Sequence, residues 1–421
     1  LASTITIFEN QLLKLPGDGR RAQREARLLR LRIGRSPAFE TRSGRLFARQ
    51  FAGAVDLGGV RVEILPKSYG VETIEQARTF LYNLLDCVGD EAAIGWIPGG
   101  SASSSSMDVL EVVERRAADE LVRRVSATLP RRYQPVAEVS PVIRGRILFN
   151  QLARQSPVMR HHIPVVHCPL NVDNDLSRLL KALARFLWNR TRSVRLRRDL
   201  DACLDQLAAV QDFVLDASLV SRVQLGRYEA DWAALVEYAS LVVEGEVSDP
   251  TRTGETGQPS LLFPLNKLFE RILRKVLANH LKPPHACRDR NQSFCLLKHG
   301  DDEALGVIPD IVIGAAKGRV VVADAKWKAL SNAPPRFGVL PGDVYQILAY
   351  MRLMGTPKGV LLYPRLEWMT EGWNRTFNVS SDGDESITVV AADIDRLVSP
   401  VRSTRLEARE RFAQFIASLV G

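Results

Sequence analysis

The segment that most constrains this chain is Val320-Val321-Val322-Ala323, because Asp324-Ala325-Lys326 follows it without a break. Four consecutive apolar residues, three of them β-branched, read as a strand buried on both faces. A carboxylate and an ammonium at the end of such a strand are costly unless each has a partner or a task. Upstream lies a second extended segment, 307–313, carrying Pro309-Asp310, and Ala316-Lys317-Gly318 marks a turn between the two. If they form a hairpin there, residues whose numbers sum to 634 lie opposite each other, so Asp310 faces Asp324. Lys326, two residues on, points the same way. The spacing predicts two carboxylates and an ammonium converging at one spot.

Like charges directly opposed on neighbouring strands repel unless something positive lies between them, and a divalent metal is the natural candidate. Mg²⁺ takes oxygen ligands in an octahedron, commonly one or two carboxylates completed by waters and substrate phosphate oxygens. It polarises a scissile phosphate and acidifies bound water, while a nearby lysine steadies the developing charge or orients the nucleophile. Asp310 and Asp324 as Mg²⁺ ligands with Lys326 alongside would form a phosphodiesterase site. The alternative from these three residues alone is an exposed hairpin with a surface salt bridge.

The surrounding order favours the site. A helix is expected from 265 to about 281, with Leu265, Leu268, Phe269, Ile272 and Val276 on one face and Glu270 off its centre. Strands are expected at 293–297, 307–313 and 319–327, then a helix at 343–354 and a strand at 360–363, giving αβββαβ. Gln346 and Tyr350 share a face of that second helix. They suit a phosphate or a metal-bound water, or else form the polar edge of an amphipathic helix. Glu270 either completes the metal shell or is solvated.

The remaining chain reads as two further parts of an α/β (α+β) protein. Residues 1–100 are expected to be a β-rich N-terminal domain, with strands at 5–8, 28–33, 45–51 and 60–65 and a helix at 74–88. Gly99 to Ser106 is too small and polar to pack and reads as a linker. Residues 107–245 have helical periodicity, interrupted by an extended piece at 142–148, and 245–260 is a second boundary rich in Pro and Gly. The third part, 260–421, ends in a helix over about 405–419 that reads as a packing helix.

The net charge of +9 is concentrated: residues 14–49 carry a local +8 and 181–198 a local +7, leaving the rest at −6. Clustered Arg of this kind suits a polyanion, an acidic partner surface, or simply a solvated face. Five Cys without C-x-x-C spacing argue against a disulfide framework and a thiolate zinc site, and the grouping His161, His162, His167 and Cys168 does not match structural zinc spacing. No run approaches the ~18 to 20 apolar residues that span a bilayer. A cytoplasmic protein without membrane insertion is expected.

In the residues singled out above, the chain resembles the PD-(D/E)XK nucleases and, within them, the McrC family, nuclease subunits of McrBC-type modification-dependent restriction systems. The resemblance lies in Leu268-Phe269-Glu270, Pro309-Asp310-Ile311, Asp324-Ala325-Lys326-Trp327-Lys328 and Gln346-Ile347-Leu348-Ala349-Tyr350, with Trp327 where the family prefers Tyr. Ile64-Leu65-Pro66-Lys67, Arg144-Gly145-Arg146-Ile147 and Asp173-Asn174 ahead of Leu179-Leu180-Lys181 extend it upstream. It implies an Mg²⁺-dependent endonuclease acting on methylcytosine-containing double-stranded DNA. Asp310 and Asp324 would hold metal, Lys326 would assist the nucleophile, and Glu270, Gln346 and Tyr350 would support them. It also implies a partner, an McrB-like AAA+ GTPase hexamer in which the N-terminal domain docks and whose GTP hydrolysis it stimulates. The chain agrees in lacking a G-x-x-x-x-G-K-[ST] phosphate loop; Gly314 to Arg319 has the wrong spacing. Arg residues in 14–49 could serve the ring's transition state or the DNA backbone. Two other expectations are an autonomous nuclease of the same superfamily and a non-catalytic adaptor that activates a AAA+ ring.

Overall fold

A computed structural model describes residues 4–13, 39–43, 45–56, 61–68, 73–88, 109–159, 161–191, 193–245, 261–288, 294–299, 302–314, 320–379 and 384–420. The expected strand at 28–33, most of the 14–49 basic stretch, both linkers and the hairpin turn at 316–318 lie outside them. Two units emerge, residues 1–112 with 245–421, and residues 113–244.

The chain opens with β1 (Thr4–Phe8), β2 (Phe39–Arg42), β3 (Arg45–Ala48), β4 (Phe51–Asp56) and β5 (Arg61–Leu65), then helix α1 (Ile74–Val88). β5 lies between β1, its parallel neighbour, and β4, its antiparallel one, while β2 and β3 pair as a separate hairpin. The single strand expected over 45–51 is therefore two: the Phe51 N–H turns back onto the Arg49 carbonyl at 2.6 Å, and Phe51 begins a strand in a different sheet. Ile7, Phe39, Leu46, Phe51, Val55, Val62 and Ile64 close over one core. α1 keeps the expected bounds because Ala77, Phe80, Leu81, Leu84, Leu85 and Val88 recur at helical spacing and are buried.

Helix α2 (Val109–Ala127) leads into the second unit, which holds β6 (Arg132–Tyr133), β7 (Val136–Ser140), β8 (Arg146–Ile147), β9 (Ile163–His167) and β10 (Leu170–Asn171) before helices α3 (Asp175–Arg190), α4 (Val194–Gln206), α5 (Ala217–Arg222) and α6 (Ala233–Gly245). This region is less purely helical than its periodicity suggests, since β7-β9-β8 and β10-β6 form two small sheets. Buried Asn174 starts α3: its side chain accepts the Ser177 N–H and donates to the Pro130 carbonyl at 3.0 Å. Part of the 181–198 basic stretch is engaged inside this unit. Lys181 and Arg185 meet Asp212 at 2.9 and 3.0 Å, Arg190 pairs with Glu114, and Arg197 stacks on Trp188.

The returning chain starts with β11 (Leu261–Pro264), which pairs antiparallel with β4 and completes the N-terminal sheet in the order β1-β5-β4-β11. Gly53 permits this approach: its φ is +136°, and a Cβ there would meet the Leu261 carbonyl oxygen at 2.3 Å. The segments expected as separate first and third domains are thus joined in one unit by a four-residue strand. α7 (Leu265–His280) follows directly and packs against α1.

The main sheet uses β12 (Ala286–Cys287), β15 (Ile311–Gly314), β16 (Val320–Ala325), β17 (Lys358–Pro364), β18 (Asn374–Asn378) and β19 (Ser386–Ala392), in the order β12-β15-β16-β17-β19-β18. β13 (Phe294–His299) and β14 (Asp302–Val307) form a separate hairpin. The first strand of the expected αβββαβ order therefore lies outside the main sheet, and β12 holds that edge. Leu297 and Leu305 are exposed in the hairpin, whereas β16, β17 and β19 are buried nearly throughout, as strands inside a sheet must be. α8 (Pro341–Met354) packs on β16 and β17, α7 packs on β16, and α9 (Arg402–Val420) packs on α7, the place expected for the last helix. No described helix is long and apolar enough to cross a membrane.

Candidate active site

The register of β15 against β16 matches the sequence arithmetic: Ile311 opposes Ala323, Val312 opposes Val322 and Ile313 opposes Val321. One residue further, Asp310 and Asp324 confront each other at the strand ends, and Asp310 Oδ2 accepts the Ala325 N–H at 2.9 Å. Pro309 has no N–H to contribute to a ladder, so the segment expected as one strand over 307–313 breaks there and frees Asp310 to turn inward.

Asp324 is fully buried, and Lys326 Nζ forms an ion pair with its Oδ2 at 2.6 Å. The Lys326 N–H donates to the Leu362 carbonyl at 2.8 Å, which keeps the backbone extended past the end of β16 and aims the ammonium back along the sheet edge. The same Nζ donates to Gln346 Oε1 at 2.9 Å, and Gln346 Nε2 donates to Tyr350 Oη at 2.8 Å. Gln346 and Tyr350, left open between a polar helix edge and a site, thus form one chain of hydrogen bonds ending on Lys326. α8 begins at Pro341 and turns Ile347 and Met351 into the core, which leaves its Gln346–Tyr350 side facing the strand end.

The charges here are poorly matched to their burial. Burial, then the charges of Glu270 and Asp324, push the Asp310 carboxyl from 3.8 up to about 7, against the Ala325 N–H and Lys326. Burial also raises Asp324, although Lys326 opposes it. For Lys326, burial works against the ammonium, but Asp324, Asp310 and Asp343 outweigh it and the pKa rises. Lys326 is therefore a firmly protonated donor in the free protein.

Glu270 lies on α7, buried, with Lys267 Nζ 2.9 Å from its Oε2. It is near enough to act on Asp310. Among the described residues, however, no three His, Cys, Asp or Glu side chains come together as a metal-binding group, so Glu270 does not join the two aspartates in the free chain. The aspartate pair itself fits a hard cation: two buried carboxylates face each other, and Asp324 Oδ1 has no hydrogen-bond partner. His167 lies 3.1 Å from Glu138, and the His161 and His162 rings stack edge-on, with no metal group around them.

Sequence reasoning missed a second network beside the first. Lys328 Nζ meets Asp343 Oδ1 at 2.7 Å, and Tyr363 Oη donates to Asp343 Oδ2 at 2.9 Å. This ties the tail of β16 and the end of β17 to the first turn of α8, which carries Gln346. The usable signal was Lys328 beside Lys326; the chain turns tightly between them, with the Lys328 N–H donating to the Lys326 carbonyl at 2.9 Å.

Among known proteins, the family model described as McrBC 5-methylcytosine restriction system component matches residues 46–364. No curated protein matches the chain. A solved structure described as a refined half-complex from a tetradecameric assembly of Thermococcus gammatolerans McrB AAA+ hexamers with bound McrC is similar at 20% identity, with a TM-score of 0.56, over 98% of this chain and 100% of that one. The cryo-EM structure of the Thermococcus gammatolerans McrBC complex is 21% identical, with a TM-score of 0.48, over 66% of this chain and 88% of that one. The first likeness is one of fold along nearly the full length.

Proposed function

Because the chain belongs to the McrBC 5-methylcytosine restriction system component family, we propose that it is the DNA-cutting subunit of such a system, an Mg²⁺-dependent PD-(D/E)XK endonuclease. One observation carries the reading: Asp310 and Asp324 are buried face to face at a strand end, with Lys326 2.6 Å from Asp324 as the cation that opposes both carboxylates among the described residues. Two ionised carboxylates in that position need a bound cation, and sites that keep such groups tend to use them.

Asp310 and Asp324 would hold Mg²⁺, with Glu270 reaching it when DNA is bound. When present, the ion supplies Lewis acidity to the scissile phosphate and a more acidic bound water. The chain's own residues do the rest. Lys326, protonated and aimed by Gln346, donates to a non-bridging phosphate oxygen as charge develops, and its ion pair with Asp324 limits its motion. Gln346 is held by Tyr350, so the lysine's direction is fixed before substrate arrives.

The archaeal McrC is described as bound to McrB AAA+ hexamers. By that likeness the partner here is a hexameric AAA+ GTPase, which this chain, having no phosphate loop of its own, would stimulate, and which would read the modified base in double-stranded DNA. The test is cleavage of methylated and unmethylated plasmid with Mg²⁺ and GTP, with and without the AAA+ protein of the neighbouring gene, by wild type and Asp324→Ala. Methylation-dependent cutting that needs partner, GTP and Asp324 is expected, with stimulated GTP hydrolysis retained in Asp324→Ala. Cutting without the partner would indicate an autonomous nuclease, and stimulated hydrolysis without cutting a pure activator.

A further inference from the structure

Trp327 directly follows Lys326, and the N-terminal segment holds it at both ends. Its indole Nε1–H donates to the two carboxylate oxygens of Glu9, at 2.9 and 3.1 Å, and its carbonyl accepts a hydrogen bond from Gln50 Nε2. Glu9 lies just past β1 and is 4% exposed. Its Oε1 also accepts the Lys67 N–H at 3.0 Å, and its own N–H donates to the Leu65 carbonyl at 2.9 Å. Gln50 sits at the break between β3 and β4. Its backbone carbonyl accepts the N–H of Leu265, the first residue of α7, at 2.9 Å.

One residue of the N-terminal segment thus grips both the tail of β16, which carries Lys326, and the start of α7, which carries Glu270. Between those elements Trp327 packs edge-to-face on Phe269, with ring centroids 5.4 Å apart. Trp327 is 5% exposed, so it is enclosed on nearly every side. A buried carboxylate is an expensive acceptor for an indole N–H that a carbonyl could satisfy, and burial pushes the Glu9 carboxyl up to about 7 despite two donors, the Lys67 N–H and the indole N–H. Packing alone does not require it.

We propose that Glu9 and Gln50 are positioning residues for the nuclease site, fixing Trp327 and through it the direction of Lys326, so that the N-terminal sheet is part of the cutting machinery. This rests on the nuclease reading above. Loosening the clamp displaces one ammonium and changes no other residue proposed to meet DNA, so the rate should suffer and affinity should not.

The experiment compares wild type, Glu9→Ala, Glu9→Gln, Gln50→Ala and Asp324→Ala in the full complex with the AAA+ partner, GTP, Mg²⁺ and methylated DNA. It measures kcat, KM for DNA and the melting temperature, together with the ¹⁵N–¹H indole resonance of Trp327, assigned with Trp327→Phe. Glu9→Ala and Gln50→Ala should lower kcat about 10- to 100-fold, the scale of a displacement of roughly 1 Å, with KM within about twofold. Glu9→Gln, which keeps an oxygen for the indole, should recover most of the rate and keep the resonance near its wild-type position. A folded Glu9→Ala that cuts at the wild-type rate, or a Glu9→Gln as slow as Glu9→Ala, would overturn the clamp. Should Glu9→Ala fail to fold, half-buried Gln50 carries the test. A wild type that does not cut refutes the nuclease reading instead, and an indole resonance indifferent to Glu9→Ala then overturns the clamp by itself.

Discussion

Replacing Asp310 by Asn should stabilise the metal-free protein at alkaline pH while abolishing its proposed activity. The Asp310 carboxyl is pushed from 3.8 to about 7 by burial, Glu270 and Asp324. The folded state therefore binds the proton more tightly than the unfolded one. Stability linked to this group is fully present below pH 3.8 and is lost as pH rises through about 7, where both states are ionised. A shift of that size corresponds to about 4 kcal/mol. Because Asp310 titrates together with Asp324, about half of that is the expected gain from one amide, with the full value as ceiling. Asn retains an oxygen for the Ala325 N–H, so little else is lost. Unit one has roughly 290 residues, for which ~1 kcal/mol moves the melting temperature by about 1.5 to 2 °C, giving a rise of about 3 to 4 °C at pH 8, with about 6 to 8 °C as the ceiling. At pH 5 the gain should shrink to about a third of that. Mg²⁺ should raise the melting temperature of wild type at pH 8 and leave that of Asp310→Asn almost unmoved. Differential scanning fluorimetry across pH 5 to 8, with and without Mg²⁺, reads all of this. A lower melting temperature for Asp310→Asn at pH 8, or a gain independent of pH, would refute the account of a charge-strained pair.

Two further substitutions probe the scaffold. Gly359→Ala puts a Cβ 2.6 Å from Met351 Sδ and 2.8 Å from Ile347 Cγ1, so those two side chains, which seat α8 on β17, must shift. Overpacking of this kind costs ~1 to 3 kcal/mol, and cleavage should fall about tenfold as Gln346 shifts with its helix; a wild-type rate in single-turnover assays would show that α8 does not set the site. Glu63→Ala removes the buried partner of Arg78 and should cost about 3 to 5 kcal/mol in urea unfolding, whereas a loss under ~1 kcal/mol would mean that water replaces the carboxylate.

The parts of the fold legible in the sequence are those decided by neighbours in the chain. The pairing of β15 with β16 follows from the turn and two apolar runs, and the bounds of α1 from one apolar stripe. The aspartates, Lys326, Gln346 and Tyr350 converge because each sits at a fixed offset within such an element. What stayed hidden depends on distant partners. Leu261-Leu262-Phe263-Pro264 reads as the approach to a helix, and nothing local says that it pairs with Phe51 to Ala54 some 200 residues earlier. The Arg-rich run after Lys181 looks like a polyanion surface until Glu114 arrives from another helix and Asp212 from the loop after α4. Glu9 and Gln50 carry no motif, since their partner is a single indole and its carbonyl.

The same unit shows what it does with a buried carboxylate that has only a structural task. Glu63, fully buried on β5, accepts from Thr6 Oγ1 at 2.8 Å, from Arg78 Nε and Nη2 at 3.0 and 2.8 Å, and from the Val109 N–H at 3.0 Å. Asp343, also buried, is met by Lys328 and Tyr363. Asp324, equally buried, is left with one lysine and an opposed carboxyl, and its Oδ1 accepts nothing. A sequence able to surround Glu63 with four donors had the means to satisfy Asp324 and did not. Unsatisfied groups persist in folded proteins where function requires them, since selection for stability alone removes them. The contrast between two carboxylates in one unit therefore adds to the motif as an argument for a cation at the β15–β16 strand ends, because Glu63 shows how a carboxylate with a structural task is satisfied there.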